Sequence, residues 1–353
     1  MEQISDWVKK QLANPQVVFL TIALVVLFLI IIYAGDMLAP VLAGIVIAYL
    51  LEGIIKRLMF LRLPRTVCVW LVFLAFMLFL VLTVFGLLPT LYTQLTQVVA
   101  QIPSMLAKGQ AALMALPERY PDLFSPEQMQ EIIGSLRNDL TTFGQSVVTS
   151  SLSGAASIIT LLIYVILLPI LIFFFLKDNT RILAWARDLL PSNSQLAIQV
   201  WRDLDRQIGN YIRGKFWEIL IVWITSFVTF SLLGLQFSML LAVLVGLSVL
   251  IPYLGAAVVT VPVVVIAYFQ WGWTSEFATL VIAYLVIQAL DGNLLVPLLF
   301  SEVVNIHPVA IIVAVLFFGG LFGVWGVFFA IPLATLVQAI IVAWPKAHFT
   351  DEG

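Results

Sequence analysis

Residues 277–300 read FATLVIAYLVIQALDGNLLVPLLF. A run of about twenty apolar residues is what a helix needs to cross a hydrocarbon core roughly 30 Å thick, and this stretch is long enough. It is interrupted by Asp291, Gly292 and Asn293, with Gln288 one turn before and Pro297 one turn after. An acidic side chain at membrane depth costs about 2.5–3.5 kcal/mol on insertion scales, and non-helical backbone is tolerated there only where protein buries it or a cavity lines it. The stretch therefore predicts a broken helix carrying a solute or ion site, with Gln288, Asp291 and Asn293 as binding residues and Glu302 just beyond. A compatible alternative is that Asp291 caps the half-helix that follows it.

The rest of the chain has the same character. Of 353 residues 62% are hydrophobic and 10% charged, with a mean hydropathy of +1.11, against roughly half apolar and a quarter charged in soluble domains. The fold class expected is an all-α polytopic membrane protein of about eight transmembrane or re-entrant elements, with Pro/Gly-broken hairpins in the C-terminal half. A formal net charge of −2 gives no sign of nucleic acid as a partner, and the single Cys68 excludes a disulfide framework.

Further spans are read at 17–33, 37–51, 66–88, 155–176 and 216–235. The first is too long for a signal-peptide core and has no small-residue cleavage site after it. Lys and Arg number two at the N-terminus, four in residues 52–65 and seven in 177–215, against none in 34–37 and three in 89–154. That bias predicts a cytoplasmic N-terminus and C-terminus. The organisation expected is 1–88 for the first three spans, 89–154 for a periplasmic helical insertion, 155–176 for the fourth span, 177–215 for a cytoplasmic interfacial region, 216–345 for a transport core and 346–353 for a tail. Within the insertion, Ser125, Pro126 and Gln128 read as a helix start. Ile198, Trp201, Leu204, Ile208 and Ile212 recur at helical spacing beside Arg202, Arg206 and Arg213, which predicts an amphipathic helix lying on anionic headgroups.

Between Phe216 and Pro345 there is no Lys or Arg, yet Glu218, Glu276, Asp291 and Glu302 occur. Glu218 and Glu276 stand near span ends and read as solvated at headgroup level; a relay using Glu218 or His307 is the sharper alternative. His307, ahead of Pro308 and with no second histidine nearby, reads as an interfacial residue rather than a metal ligand. Residues 238–270 are too many for one upright span at 1.5 Å per residue, so a re-entrant hairpin or half-helix turning near Pro252, Tyr253 and Gly255, followed by a full span, is expected. Ala242-Val243-Leu244, Gly246, Gly255 and Pro262 echo Ala314-Val315-Leu316, Gly319, Gly326 and Pro332, the kind of internal repetition found in secondary transporters. Gly319, Gly320, Gly323 and Gly326 read as packing or hinge positions, Gly319 with Gly323 as a small-xxx-small pair. No HExxH, GxSxG or Walker loop occurs, so neither an enzyme nor an ATP-driven pump is indicated, and no cofactor or metal.

The segment from Gln288 to Pro297, followed by Asn305-Ile306-His307-Pro308 and by Gly319 to Pro332, resembles the C-terminal signature of the autoinducer-2 exporter (AI-2E) family. Ile251-Pro252-Tyr253-Leu254-Gly255 and Tyr211-Ile212-Arg213-Gly214-Lys215 also match, and the whole length resembles the PerM-type permease branch. The resemblance implies a bacterial inner-membrane transporter, homo-oligomeric and of pentameric type, whose relatives are associated with autoinducer-2 export or with sodium or lithium/proton exchange. The motif has Asp291 where many members carry Glu. The function expected is thus a permease moving a small polar solute or cation by alternating access, coupled to H+ or Na+, with membrane lipids around it. The alternatives are a membrane scaffold acting through residues 89–154 and a passive channel.

Overall fold

The structure, a computed structural model, describes residues 15–114, 154–188, 195–252, 254–300 and 307–343 together with a few helical positions between 130 and 142. Among them every regular element is a helix, as hydrocarbon demands of backbone that has no water to bond. Five helical stretches are long and apolar enough to cross a membrane, and three shorter apolar helices accompany them.

Helix α1 (Pro15–Met59) is continuous, so the turn expected at residues 34–37 does not exist, and the Pro15 end cannot share the side of the Lys56–Arg57 end as the charge count led one to expect. Gly35 costs a helix only about 1 kcal/mol, whereas opening the backbone in an apolar medium costs several for each unpaired group. Helix α2 (Arg65–Leu82) likewise runs through a π turn (Thr83–Leu87) into α3 (Leu88–Met114), so the expected boundary at Pro89 is not a break. A proline ring collides with the carbonyl four residues back. The wider π turn, in which Leu88 N–H bonds Thr83 O, absorbs that collision. The cap predicted at Ser125–Gln128 lies outside the described residues.

Helix α4 (Gly154–Lys177) packs on α1 and α2. Ile55, Cys68, Val72, Ile172 and Leu176 form their shared core. Arg65 closes the basic end of this unit, donating to both Glu52 carboxylate oxygens at 2.7 and 3.0 Å and to Leu176 O at 3.0 Å. A short helix α5 (Asn179–Asp188) follows. Helix α6 (Gln195–Leu232) then merges the expected interfacial helix with the expected fifth span. Its first turns do not lie wholly on lipid: Tyr211 and Ile212 are buried in protein, Asp205 accepts from the Tyr49 hydroxyl, and Arg213 lies against Gly53 of α1. Arg202 and Arg206 stay exposed.

The second unit is arranged around α6. Helix α7 (Ser238–Ser248) turns at residues 249–252 toward α8 (Leu254–Trp271). Gln270 of α8 donates to Gly234 O at 2.8 Å and accepts from Gln236 N–H at 2.8 Å, so both legs end on the same side and the element is a hairpin whose second leg is long enough to span. Gly255 is needed at the turn because a Cβ there would stand 1.8 Å from Ser248 O. Helix α9 (Ser275–Leu290) continues through a second π turn (Asp291–Leu295) into α10 (Val296–Phe300). Helix α11 (Pro308–Phe328) reverses at Gly323, φ 59° and ψ −136°, and packs against α12 (Ala330–Ala343). At that reversal a Cβ on Gly326 would lie 1.8 Å from Phe318 O. The two hairpins thus use the same device, Gly255 matching Gly326 as the repeat suggests. Gly323 is a turn residue rather than half of a packing pair, Gly319 meets Val327 of the return leg, and Gly320 meets nothing.

Helices α6 and α9 run antiparallel: Glu218 interacts with Asp291, while farther along α6 the Phe230 ring lies 6.2 Å from that of Tyr284. Each is followed in sequence by a hairpin, α7 with α8 after α6 and α11 with α12 after α10.

Helix α7 begins on Phe237 in the left-handed region (φ 58°) without a side-chain cap of its own. Gln94 of α3 supplies one from outside, its Oε1 accepting from Leu240 N–H at 2.8 Å. Caps are worth about 0.5–2 kcal/mol. Gln94→Leu is therefore expected to lower stability by about 1 kcal/mol, and unfolding of the purified variant in detergent checks it.

Candidate functional site

One face of α6 carries Tyr211, Lys215, Glu218, Val222 and Ser226 at helical spacing, and all five are buried. Burying an ammonium and a carboxylate is costly unless they pair. Here Lys215 Nζ lies 2.7 Å from Glu218 Oε2, with side-chain exposures of 6% and 2%. The same ammonium donates to Val249 O at 2.8 Å and stands 5.2 Å from the Phe300 ring centroid, a cation–π distance. Lys215 thus ties α6 to the tip of the first hairpin and to α10. Phe300 approaches α6 over Gly214, where a Cβ would lie 2.7 Å from the ring. Tyr211, one turn before, packs on Phe300 and Phe328 and donates to Phe328 O at 2.9 Å, which brings in the second hairpin.

Asp291 completes the group. It interacts electrostatically with Lys215 and with Glu218, and its Oδ1 is buried without a hydrogen-bond partner among the described residues. The backbone around it is not unwound as expected. Asp291 has φ −59° and ψ −59°, Val296 N–H bonds Asp291 O, and no side chain caps the turn. The reason is the one found at Pro89: each π turn ends two residues before a proline, here Pro297. Gly292 sits on this turn with open space around it. The polar interruption is thus a widened helical turn that aims one carboxylate into the protein, and it frees few carbonyls.

Of the other expected binding residues, Gln288 donates to the Tyr284 hydroxyl at 2.8 Å. Asn293 is exposed and donates to Ala289 O at 2.9 Å, so it does not join Asp291. Glu302 lies outside the described residues. His307 is exposed and its Nδ1 accepts from Val309 N–H at 3.3 Å as a helix cap. Glu276 is exposed as expected. Glu218 is the clear correction, since it is buried and ion-paired rather than solvated. The missed residue is Lys215, one position before the stretch without Lys or Arg. Its cue is the i, i+3 spacing to Glu218 on the stripe that continues Ile208 and Ile212.

An ammonium faces two carboxyl groups here, so the group carries one formal negative charge when both are ionised, at the meeting point of both hairpins. Intramembrane ionisable residues of this kind mark pathways for solutes and ions, and a helix scaffold of candidate spans plus hairpins is that of a multi-pass membrane transporter. The sequence profile described as AI-2E family transporter matches residues 20–346, and this chain belongs to that family. It is 45% identical over 352 residues to the candidate permease PerM of Escherichia coli strain K12, covering 100% of both chains. It is also 26% identical over 318 residues to the candidate transport protein YueF of Bacillus subtilis strain 168, covering 88% of this chain and 85% of that one. With the candidate transport protein YhhT of E. coli strain K12 it shares 24% over 249 residues, 69% of this chain and 67% of the other.

Proposed function

We propose that the protein is an inner-membrane permease that moves a small polar solute or cation through its C-terminal unit by alternating access, driven by a proton or sodium gradient. The observation that carries this reading is the group of Lys215, Glu218 and Asp291, in which the Lys215–Glu218 pair is buried and Asp291 Oδ1 has no hydrogen-bond partner among the described residues. A structural ion pair is complete with two members. The third charge adds repulsion that a bound proton or cation relieves. The group also sits where a small change reaches both hairpins, through Val249 O and Phe300 on one side and Tyr211 with Phe328 on the other. Interfaces that flip between two packings are how such proteins alternate.

The basic end, where Arg65 meets Glu52 and Leu176 and where Arg213 meets Gly53, is assigned to the cytoplasm by the positive-inside rule. The reading is tested by counterflow in proteoliposomes of the purified protein, with autoinducer-2, sodium and proton gradients compared. Saturable flux, accelerated by solute on the opposite side, is the expected result. Flux that neither saturates nor shows counterflow would instead define a channel.

A further inference from the structure

Beyond the charge group, the faces of α9 that pack against α6 and α8 hold further polar side chains that the charge group does not use. On α9, Asp291, Gln288 and Tyr284 fall at i, i−3 and i−7, on one face. The Tyr284 hydroxyl takes the Gln288 amide at 2.8 Å and lies 3.0 Å from Thr260 Oγ1 of α8, although Tyr284 itself is 0% exposed. On the facing side, Ser226 stands two turns beyond Glu218 on α6 and one turn before Phe230, whose ring touches Tyr284. Ser226 is 0% exposed, and its hydroxyl has no partner among the described residues. A buried hydroxyl without a partner is costly, and an apolar residue would cover the position without that cost.

We infer that Ser226, Thr260, Tyr284 and Gln288 line a polar lane that admits small cations from the far end of α6 to the charge group. The lane supplies only neutral hydroxyls and an amide, which accept from or solvate a cation, and it ends on two carboxylates against a single ammonium. Its field therefore favours positive over negative species. In the conformation seen, Phe230 packed on Tyr284 closes it, so passage requires the lane to open. The inference rests on the permease reading, but its test needs no knowledge of the natural solute.

Cys68 is the only cysteine, so a Cys68→Ser background isolates any introduced thiol. In membranes, Ser226→Cys is treated with the cationic reagent 2-aminoethyl methanethiosulfonate and with its anionic sulfonatoethyl analogue, each rate normalised to that reagent's rate with 2-mercaptoethanol. The expected result is cation modification at least tenfold faster than anion modification, falling toward equality when Asp291→Asn is added. Val286→Cys, on the exposed side of α9, is expected to react with neither. A Ser226→Cys thiol as inert as Val286→Cys, or one that takes both reagents equally, overturns the lane. Ser226→Ala separates a folding role from passage: it is expected to melt no lower than the parent, and a lower melting temperature contradicts an unpartnered hydroxyl at this site. If Ser226→Cys is inert while the reconstituted protein still shows counterflow, the lane falls and the permease stands; a reactive lane with no counterflow has the opposite meaning.

Discussion

Replacing Lys215 by methionine is expected to destabilise the protein by about 3–5 kcal/mol, because it strands the buried Glu218 carboxylate beside the partly buried Asp291 without a cation. Methionine fills most of the volume and keeps helix propensity, so the loss belongs to charge rather than to packing. The same substitution removes the donor to Val249 O and the cation over Phe300, which frees the tip of the first hairpin. Adding Glu218→Gln is expected to recover much of the loss, since replacing both partners of a buried pair is close to neutral whereas removing one is not. Unfolding of the single and double variants in detergent reads the difference directly. Equal stability of Lys215→Met and the parent would mean that the pair is solvated and not the centre of this unit.

Gly255→Ala is expected to cost more than about 3 kcal/mol, at the upper end of overpacking effects. The added methyl meets Ser248 O at 1.8 Å, a backbone atom that cannot rotate away. The turn cannot widen without pulling Val249 from Lys215. Gly326→Ala is expected to behave alike, against Phe318 O at the same distance. Gly292→Ala and Gly320→Ala are the controls: both positions are helical with open space around the missing Cβ, so each is expected within about 0.5 kcal/mol of the parent. Thermal unfolding of the four variants side by side separates glycines that close a hairpin from glycines that merely sit on a helix. If Gly292→Ala proved as damaging as Gly255→Ala, the hinge role expected of the polar interruption would regain its place.

Much of this architecture was legible from residues alone, and the limits have physical causes. The hairpin at Pro252 to Gly255 could be read because its flanks are too long for one span and because Pro and Gly stand together at the middle. The second hairpin was visible only as an echo of spacing, since nothing in Gly319 to Gly326 says which glycine turns and which packs; that depends on the carbonyl of Phe318. The breaks expected at residues 34–37, 89 and 291–293 were misjudged for a common reason. A glycine inside a helix costs about 1 kcal/mol, while in hydrocarbon an opened backbone costs more than a π turn does. The charge group was half visible: Asp291 announces itself by depth. Lys215 was hidden because a basic cluster near a span end reads as headgroup contact, and only the fold shows that α6 carries its buried stripe straight through that boundary.

The central claim is that transport passes through the Lys215, Glu218 and Asp291 group. Asp291→Asn keeps the size of the side chain and removes its charge, so the decisive measurement is counterflow in proteoliposomes of this variant beside the parent, at matched protein content and with matched melting temperatures. The account predicts that gradient-driven flux falls at least tenfold while stability holds or rises. Unchanged flux with an unchanged dependence on the driving gradient would contradict it and place the solute path elsewhere in the protein.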